Sequence, residues 1–296
     1  MTDHDVLVIG GAGVDTIVRV PDLPVPFADS VHVPPIQEYV AHTGNGVALG
    51  SRALGLRVKM ADYLGDDELG ELVRKRLEAA GVDGSWLLNP VGTRRAVNLV
   101  DDRGRRMSFY DGREFPGQRM SADFVRPFLA ASRHVHMSIM DYARHLYPEV
   151  HRHGISVSTD LHDWDGENDH QRDFAYGSDL VFLSASALEG RVHAAMRDIL
   201  EHGRAQVVVA TAGERGGHVL TRVDGEIRSF PPARGPVVDS NGAGDAFVSG
   251  FLYGWLAERP IAECVRYGAV AGVYACGAAG THQALITAGQ LIATAA

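Results

Sequence analysis

The sequence is poor in cysteine, has no long apolar run and contains no cluster of basic residues. Its two cysteines, Cys264 and Cys276, fit no spacing of metal ligands, so each is expected to be a small buried residue in a reducing compartment. No window is long and apolar enough to span a membrane, and the apolar run near the N-terminus is too short for a signal peptide. The net charge of −9 argues against nucleic acid as the main partner. These absences predict a soluble cytoplasmic protein with neither a nucleic-acid nor a membrane partner.

The chain does contain enough apolar material for a substantial core. Of its 296 residues, 45% are hydrophobic and 22% are charged, which suits one large α/β domain or two small ones. Internal repeats, low-complexity segments and linkers rich in proline or serine are absent from the sequence. We therefore expect residues 1–296 to form a single domain.

Strand-like and helix-like segments alternate along most of the chain. "RVKMADYLG" predicts a strand, and "DDELGELVRKRLEAAGV" predicts a helix that ends at a glycine. After Met120 the alternation predicts helices at 121–131, 141–153, 168–176 and 188–203, and strands at 133–138, 155–159, 179–183 and 206–210. Such alternation predicts an α/β fold with a mainly parallel sheet sandwiched by helices. Ligands of such sheets bind beyond the carboxyl ends of the strands.

Two segments interrupt this alternation. Residues 16–40 are rich in valine and proline and have no helical period, and residues 92–111 read as two strands joined by the turn "DDRG". They could pair as one small antiparallel sheet that forms a lid over a site, or they could be separate surface hairpins. We favour the lid, because insertions of this kind in compact domains are usually functional. Its valine, phenylalanine and tyrosine residues predict an apolar face that joins two subunits in a homodimer.

The stretch "VVDSNGAGDAFVSGF", residues 237–251, combines a strand end, a glycine-rich loop and helical apolar spacing. Its loop therefore precedes a helix N-terminus, where free N–H groups and the helix dipole favour an anion. A carboxylate at an anion site is costly unless it takes a proton from a nucleophile that attacks the anion. Asp245 could have that catalytic task, or it could simply complement the helix dipole. The motif alone does not decide between the two.

Three further polar motifs each permit two interpretations. Asp15 stands beside glycines just past a strand end, where a carboxylate could hold two vicinal sugar hydroxyls or cap its own turn. Asn45 begins a helix in "HTGNGVALG" and is an ordinary N-cap residue on that evidence. In "ATAGERGG", a T-x-G-x-x-G turn could hold a nucleotide phosphate or form a tight hairpin; it consists of Thr211, Gly213 and Gly216.

Together and in this order, these motifs resemble the PfkB carbohydrate kinases, the ribokinase-like family, over nearly the full length of the chain. The most specific part is "DSNGAGDAF", which is similar to the family's D-T-x-G-A-G-D-A-F with Ser240 in place of threonine. "YLGDDELG" and "TGNGVALGSRALG" are similar to two further motifs. The resemblance implies a ribokinase-like fold with a β-sheet lid. It also implies transfer of the ATP γ-phosphoryl group to a hydroxymethyl group, with Mg²⁺ and often a monovalent cation such as K⁺.

The resemblance assigns roles to individual residues. Asp245 would be the base, and the N–H groups of Gly242, Ala243 and Gly244 would form the anion hole for the transferring phosphoryl group. This suits phosphoryl transfer, which needs positioning and charge stabilisation more than covalent help. The other implied contacts are Asp15, Gly44 and Asn45 with the substrate, Thr211, Gly213, Gly216 and Ser184 with ATP, and Asp239 with the loop from Gly277 to Thr281 around the monovalent cation.

The sequence departs from the family pattern at several positions. The family usually has N-x-x-E, which helps to organise Mg²⁺ and phosphate, where this chain has Ser184 and Ala187. Thr43 replaces a glycine, Ala48 stands where asparagine is usual, and His162 replaces the asparagine of a D-x-N motif. These departures put ordinary substrate choice and metal handling in doubt.

Other charged or metal-ligating clusters predict less. The H-x-H pairs at His134/His136 and His151/His153 could bind a metal, but no third ligand stands at a recognisable spacing. His151 and His153 are better explained as residues at a helix C-terminus, where partial positive charge is favourable. The charged hairpin tip at residues 101–106 is expected to be solvated.

The sequence thus predicts an ATP-dependent kinase that acts on a sugar or a sugar-like cyclitol. A nucleoside kinase of the same family is an alternative. A second alternative is a ligand-binding regulator that kept the fold and lost the chemistry. The missing N-x-x-E favours that regulator, whereas the intact G-A-G-D counts against it.

Overall fold

A computed structural model describes residues 2–296 of the protein. The strands are β1 (His4–Ile9), β2 (Gly13–Val20), β3 (Gln37–Ala41), β4 (Val58–Leu64), β5 (Asp83–Leu88), β6 (Arg95–Asp101), β7 (Arg106–Asp111), β8 (Ser132–Met137), β9 (Ser156–Asp160), β10 (Leu180–Ser184), β11 (Val207–Thr211), β12 (Gly217–Thr221) and β13 (Ile227–Phe230). The helices are α1 (Thr43–Ala53), α2 (Glu68–Ala79), α3 (Ala122–Ala130), α4 (Asp141–Arg144), α5 (Tyr147–Arg152), α6 (Asp169–Gly177), α7 (Val192–His202), α8 (Ala243–Leu256), α9 (Ile261–Ala275) and α10 (Ala288–Ala295).

A large sheet forms the centre of the molecule, with strands in the order β13-β12-β11-β10-β9-β8-β1-β4-β5. Its strands are parallel from β11 to β5, and β12 and β13 continue the sheet in antiparallel fashion. The central strands carry apolar residues toward both faces. In β1, Leu7 and Ile9 belong to one core cluster, and Val6 and Val8 belong to the cluster on the other face. The predicted α/β sandwich is confirmed.

One predicted helix is in fact two. The segment 141–153 contains α4 and α5, and Pro148 lies in the first turn of α5. A proline lacks the N–H that a continuous helix would need, and its ring clashes with the carbonyl four residues before it, whereas it is tolerated at a helix start. The chain therefore begins a new helix there. Among residues 2–296, no helix is both long and apolar enough to cross a lipid bilayer.

The two interrupting segments do pair as one small sheet, in the order β3-β2-β6-β7. The outer pairs are antiparallel, as predicted, but the central strands β2 and β6 are parallel. The prediction of a wholly antiparallel sheet was therefore wrong. Both central strands leave the body of the protein at the same place and run in the same direction, so they meet side by side rather than as a hairpin.

A buried polar network lies where the two central strands of the small sheet begin. Asp62 Oδ2 accepts a hydrogen bond from the backbone N–H of Ala12 at 2.7 Å, and Asp62 Oδ1 accepts one from Arg94 Nη2 at 2.9 Å. Arg94 Nη1 also donates to the Tyr142 hydroxyl at 2.7 Å. Asp62 and Arg94 are only 0% and 2% exposed. Because Ala12 precedes β2 and Arg94 precedes β6, this network ties the starts of both central strands of the small sheet to the large sheet.

Candidate active site

A cleft of about 750 Å³ lies between the carboxyl ends of the large-sheet strands and the inner face of the small sheet. Residues at or just beyond the ends of four neighbouring parallel strands reach it: Ser138, Asp160, Ser184 and Thr211. The small sheet contributes Asp15, Asn98, Ser108 and Tyr110, and the start of α8 contributes Gly242, Gly244 and Asp245. Motifs far apart in sequence thus meet at the edge of the sheet where ligands are expected.

Asp245 lies in the first turn of α8 and faces this cleft. Its Oδ2 is 2.7 Å from Nε2 of His282, and the two side chains are 13% and 4% exposed. A proton on Nε2 fixes one carboxylate oxygen and leaves Oδ1 for another partner. His282 escaped the sequence reasoning, and its position just after the predicted cation loop was the one available signal.

A glycine in α1 makes room for this pair. A Cβ atom on Gly46 would lie 2.3 Å from His282 Nε2 and 2.5 Å from Asp245 Oδ2. Any side chain there would displace the carboxylate or the imidazole. The close approach of α1 and α8 therefore explains why "TGNGVALG" needs glycine at this position.

The predicted anion hole stays a prediction, and two of its three residues line the cleft. Gly242 is the N-cap of α8, and both Gly242 and Gly244 line the cleft. Ala243 is not among the residues that line it within the described chain, and its N–H lies 3.3 Å from the Ser240 carbonyl oxygen. The cleft therefore meets the two glycines, and the N–H of Ala243 is engaged in the turn itself.

Asp15 lies within β2 rather than after a strand end, and it faces the cleft. Asn98 of the neighbouring strand donates its amide to Asp15 Oδ2 at 2.8 Å. His42 Nε2 lies 3.2 Å from Oδ1, close enough for an ion pair when protonated but without the alignment of a hydrogen bond. The carboxylate is thus oriented by two side chains that the sequence motifs did not identify.

The predicted substrate contacts of Gly44 and Asn45 stay predictions, and the structure shows how these residues are placed in the fold. Neither is among the residues that line the cleft in the described part of the chain. Asn45 is fully buried, and its amide donates to the carbonyl oxygens of Gly13 at 3.1 Å and Ala41 at 2.7 Å. It therefore joins the ends of two strands of the small sheet. Thr43 faces the cleft instead, with its hydroxyl 3.2 Å from His162 Nε2.

The T-x-G-x-x-G turn forms the hairpin between β11 and β12, the simpler of its two interpretations. Thr211 and Gly213 line the cleft, so contact with a nucleotide remains a prediction for them. Gly216 has a φ of +78°, and a Cβ there would lie 2.0 Å from the Phe230 carbonyl oxygen. Close packing of β13 is therefore what requires this glycine.

The site offers few protein ligands for a divalent metal. Ser184 accepts a hydrogen bond from the Ser186 N–H at 3.2 Å and lines the cleft, whereas Ala187 is not among the lining residues of the described chain. No group of three potential metal-ligating side chains occurs within residues 2–296. Asp160 and Asp245 both reach the cleft, and burial raises the pKa of Asp160. These residues fit a Mg²⁺ ion that is held mainly by nucleotide phosphates and water.

The predicted cation ligand Asp239 is already surrounded by donors. Its Oδ1 accepts from the Asn241 N–H at 3.1 Å and from the Asn241 amide at 2.8 Å. Its Oδ2 accepts from the Gly280 N–H at 3.2 Å and from the guanidinium of Arg19 in β2. The loop from Gly277 to Thr281 is adjacent, as expected, but these residues do not fit a monovalent cation at the carboxylate.

The charged hairpin tip is not simply solvated, contrary to expectation. Arg106 in β7 lines the cleft and donates to Asn241 Oδ1 at 2.7 Å. The small sheet therefore directs a second arginine at the loop before α8. This contact joins residues 135 positions apart, so no local motif could have indicated it.

The two H-x-H pairs lie in different parts of the fold, one in a strand of the large sheet and one at the end of a helix. His134 and His136 share a face of β8 and lie near Ser156 and Ser158, with nitrogen–oxygen distances of 2.7–3.0 Å. His151 and His153 lie at the end of α5, as predicted.

Transfer of a phosphoryl group to an alcohol is the chemistry that this cleft suits, because the carboxylate of Asp245 stands at a glycine-lined helix start beside polar side chains that can hydrogen-bond to hydroxyl groups. The fold and the cleft thus define an ATP-dependent kinase of a small hydroxylated molecule. The chain belongs to the pfkB family of carbohydrate kinases, whose family model matches residues 3–288. The predicted family, fold and activity are confirmed.

Similar proteins include an acarbose 7(IV)-phosphotransferase from an Actinoplanes species, which is 48% identical over the whole of both chains. The structure of a microbiome-derived acarbose kinase is 47% identical, covers 99% of each chain and superposes with a TM-score of 0.92. A ribokinase from Thermotoga maritima, at 17% identity and a TM-score of 0.81, covers 98% of this chain and 99% of its own; it shares the fold.

Proposed function

We propose that this kinase transfers the γ-phosphoryl group of ATP to a hydroxymethyl group of acarbose or of a closely related cyclitol-bearing oligosaccharide. The observation that carries the proposal is the 48% identity, over both full lengths, to an acarbose 7(IV)-phosphotransferase. The cleft supports it, because its lining extends past Asp15 to Tyr110 and Glu114, which provide polar and aromatic surface for a substrate larger than one sugar ring.

In the proposed mechanism, Asp245 accepts the proton of the attacking hydroxyl through Oδ1, while His282 holds Oδ2. The N–H groups at Gly242 and Gly244, at the start of α8, stabilise negative charge on the transferring phosphoryl group. Asp15 binds substrate hydroxyls in an orientation set by Asn98. Mg²⁺, carried by the ATP phosphates and water, supplies further charge neutralisation when bound.

We further propose that residues 1–296 act as one catalytic domain in which the small sheet is the lid. Contacts from the sheet to the loop before α8, made by Arg19 and Arg106, support a lid that closes over the nucleotide end of the cleft. A cytoplasmic location is also proposed. It is supported by the two cysteines, Cys264 and Cys276, which are both free rather than joined in a disulfide.

The test is a phosphate-transfer assay with ATP, Mg²⁺ and a panel of acceptors. Acarbose should give ADP and a product heavier by one phosphate, and tandem mass spectrometry should place that phosphate on the terminal cyclitol ring. Maltotetraose is the matched control without the cyclitol, and ribose and adenosine represent the other family substrates. Preferential turnover of adenosine would replace the proposal with the nucleoside kinase, and no turnover of any acceptor would favour the regulator.

We also propose that the lid joins two subunits in a homodimer. Val97, Met107 and Phe109 point to the outer face of the small sheet and are 36%, 47% and 54% exposed. Such an apolar face would favour association through the same surface on two copies. Light scattering at micromolar concentration should give twice the chain mass for the wild type and the monomer mass for Phe109→Glu. Val223→Glu, an equally apolar site in a distant turn, is the control, and a monomeric wild type would contradict this proposal.

A further inference from the structure

We infer that the guanidinium of Arg19 serves as a built-in cation at the loop of residues 239–244, so that the kinase works without a monovalent metal ion. The inference rests on the proposed role of this loop in holding the transferring phosphoryl group. Arg19, a side chain of the small sheet, would take the place of the metal cation that the family resemblance implies around Asp239.

The carboxylate of Asp239 has no oxygen free for a metal ion. The residue is 6% exposed, and both of its carboxylate oxygens accept hydrogen bonds from the protein. A metal ion would have to displace Asn241 to reach Oδ1, or Arg19 or Gly280 to reach Oδ2. It would also meet the positive charge of the guanidinium at close range.

The charge of the loop is already balanced by the protein. An unpaired carboxylate buried beside a phosphate site would repel the phosphate, and a buried charge without a partner is costly. Arg19 cancels that charge through a direct hydrogen bond to Oδ2. A guanidinium keeps its proton at every physiological pH, so the compensation is permanent.

Asp239 also organises the loop. Its carboxylate fixes Asn241 through two hydrogen bonds, and its backbone N–H lies 3.2 Å from the Cys276 carbonyl oxygen. The same carboxylate receives the Gly280 N–H. Arg19 therefore acts on the phosphate site indirectly, as a positioning residue that stabilises the carboxylate and, through it, the turn before α8.

The geometry of β2 explains how a distant residue reaches this place. Arg19 stands four positions after Asp15, and residues four apart in a strand share one face. Strand β2 therefore carries both Asp15, which is proposed to bind the substrate, and Arg19.

The experiment compares wild type, Arg19→Ala and Arg19→Lys in a potassium-free buffer, with tetramethylammonium chloride keeping the ionic strength constant. Arg95→Ala is the matched control, because Arg95 belongs to the same sheet but pairs with Asp111. Binding of a non-hydrolysable ATP analogue with Mg²⁺ is measured by calorimetry, and turnover is measured with the best acceptor. The binding measurement needs no acceptor, so a wrong substrate proposal and a wrong cation inference give different results.

Wild type and Arg95→Ala should bind the analogue equally well with and without K⁺. Arg19→Ala should bind it roughly tenfold to a hundredfold more weakly, the loss expected for one charge-assisted hydrogen bond. K⁺ or guanidinium chloride at low concentration should recover part of that loss in Arg19→Ala, and Arg19→Lys should retain much of the wild-type affinity without K⁺.

Two results would overturn the inference. One is activation of the wild type by K⁺, which requires only the wild-type protein and so stands even if Arg19→Ala fails to fold. The other is a folded Arg19→Ala whose binding and thermal denaturation midpoint are indifferent to K⁺ and guanidinium. In that case Arg19 would only connect the small sheet to the loop and would not substitute for a metal cation.

Discussion

Acidification from pH 7 to pH 5 should destabilise the fold strongly because of two histidines in the centre of the large sheet. His134 and His136 on β8 are both 0% exposed. Burial lowers the pKa of His134 to about 3 and that of His136 to about 4, with repulsion between the two rings as a further cause for His134. In an unfolded chain both pKa values would return to about 6.5.

The sign follows from these values. A folded-state pKa below the unfolded one means that only the unfolded chain takes up protons between pH 6.5 and about 4, so stability falls as the pH falls through that window. Each histidine then costs about 2 kcal/mol between pH 7 and pH 5, from one pKa unit being worth about 1.4 kcal/mol. The pair costs several kcal/mol, a large part of the ~5–15 kcal/mol by which most proteins are stable.

Urea denaturation, followed by far-UV circular dichroism at pH 7 and pH 5, measures this loss. His134→Gln keeps a polar side chain near Ser156 and Ser158 and cannot take up the proton, so the difference between the two pH values should shrink by about 2 kcal/mol. His32→Gln, at an exposed loop position, is the control and should leave the difference unchanged. An equal pH dependence in wild type and His134→Gln would refute the reasoning.

Three other substitutions test the site and its support. Asp245→Asn should lower kcat by roughly 10² to 10⁴ while ATP binding is kept, and a loss of only severalfold would assign the residue a structural role. Asp15→Ala should raise the acceptor KM about tenfold to a hundredfold, since a charged hydrogen bond contributes ~1.5–3 kcal/mol, and an equal effect on the ATP KM would contradict substrate binding. Arg94→Met should cost ~3–5 kcal/mol in urea denaturation because it leaves Asp62 buried without its partner; Arg95→Met is the exposed control, and similar losses in both would count against the network.

The features of the fold that could be predicted from the sequence are those that depend on patterns of neighbouring residues. The parallel strands were visible as apolar runs, because a strand covered by helices on both faces has no polar side to show. The helix break at Pro148 and the parallel centre of the small sheet were missed. The helix break is a local effect of Pro148, which was missed because apolar residues continue at helical spacing on both sides of it. The parallel pairing depends on where β2 and β6, which are far apart in sequence, meet in space.

The residues of the candidate site also fall into those that local sequence could predict and those that only the fold brings together. Asp245 was predicted because the loop and the helix around it are contiguous in sequence. Arg19 and His282 contact Asp239 and Asp245 across 220 and 37 positions, so only the fold brings them together. The structural contacts of Asn45 could not be predicted for the same reason: its amide donates to two carbonyl groups whose positions depend on the small sheet.

The contact between Thr43 and His162 has a consequence for any attempt to re-engineer the cleft. Both residues depart from the family motifs noted above, and Thr43 Oγ1 lies 3.2 Å from His162 Nε2 in the lining of the cleft. Reverting either one alone removes a partner of the other, so the effect of each reversion depends on whether the second has already occurred. The two exchanges are therefore expected to be epistatic, and transplanting this cleft onto a related kinase requires that they be moved as a pair.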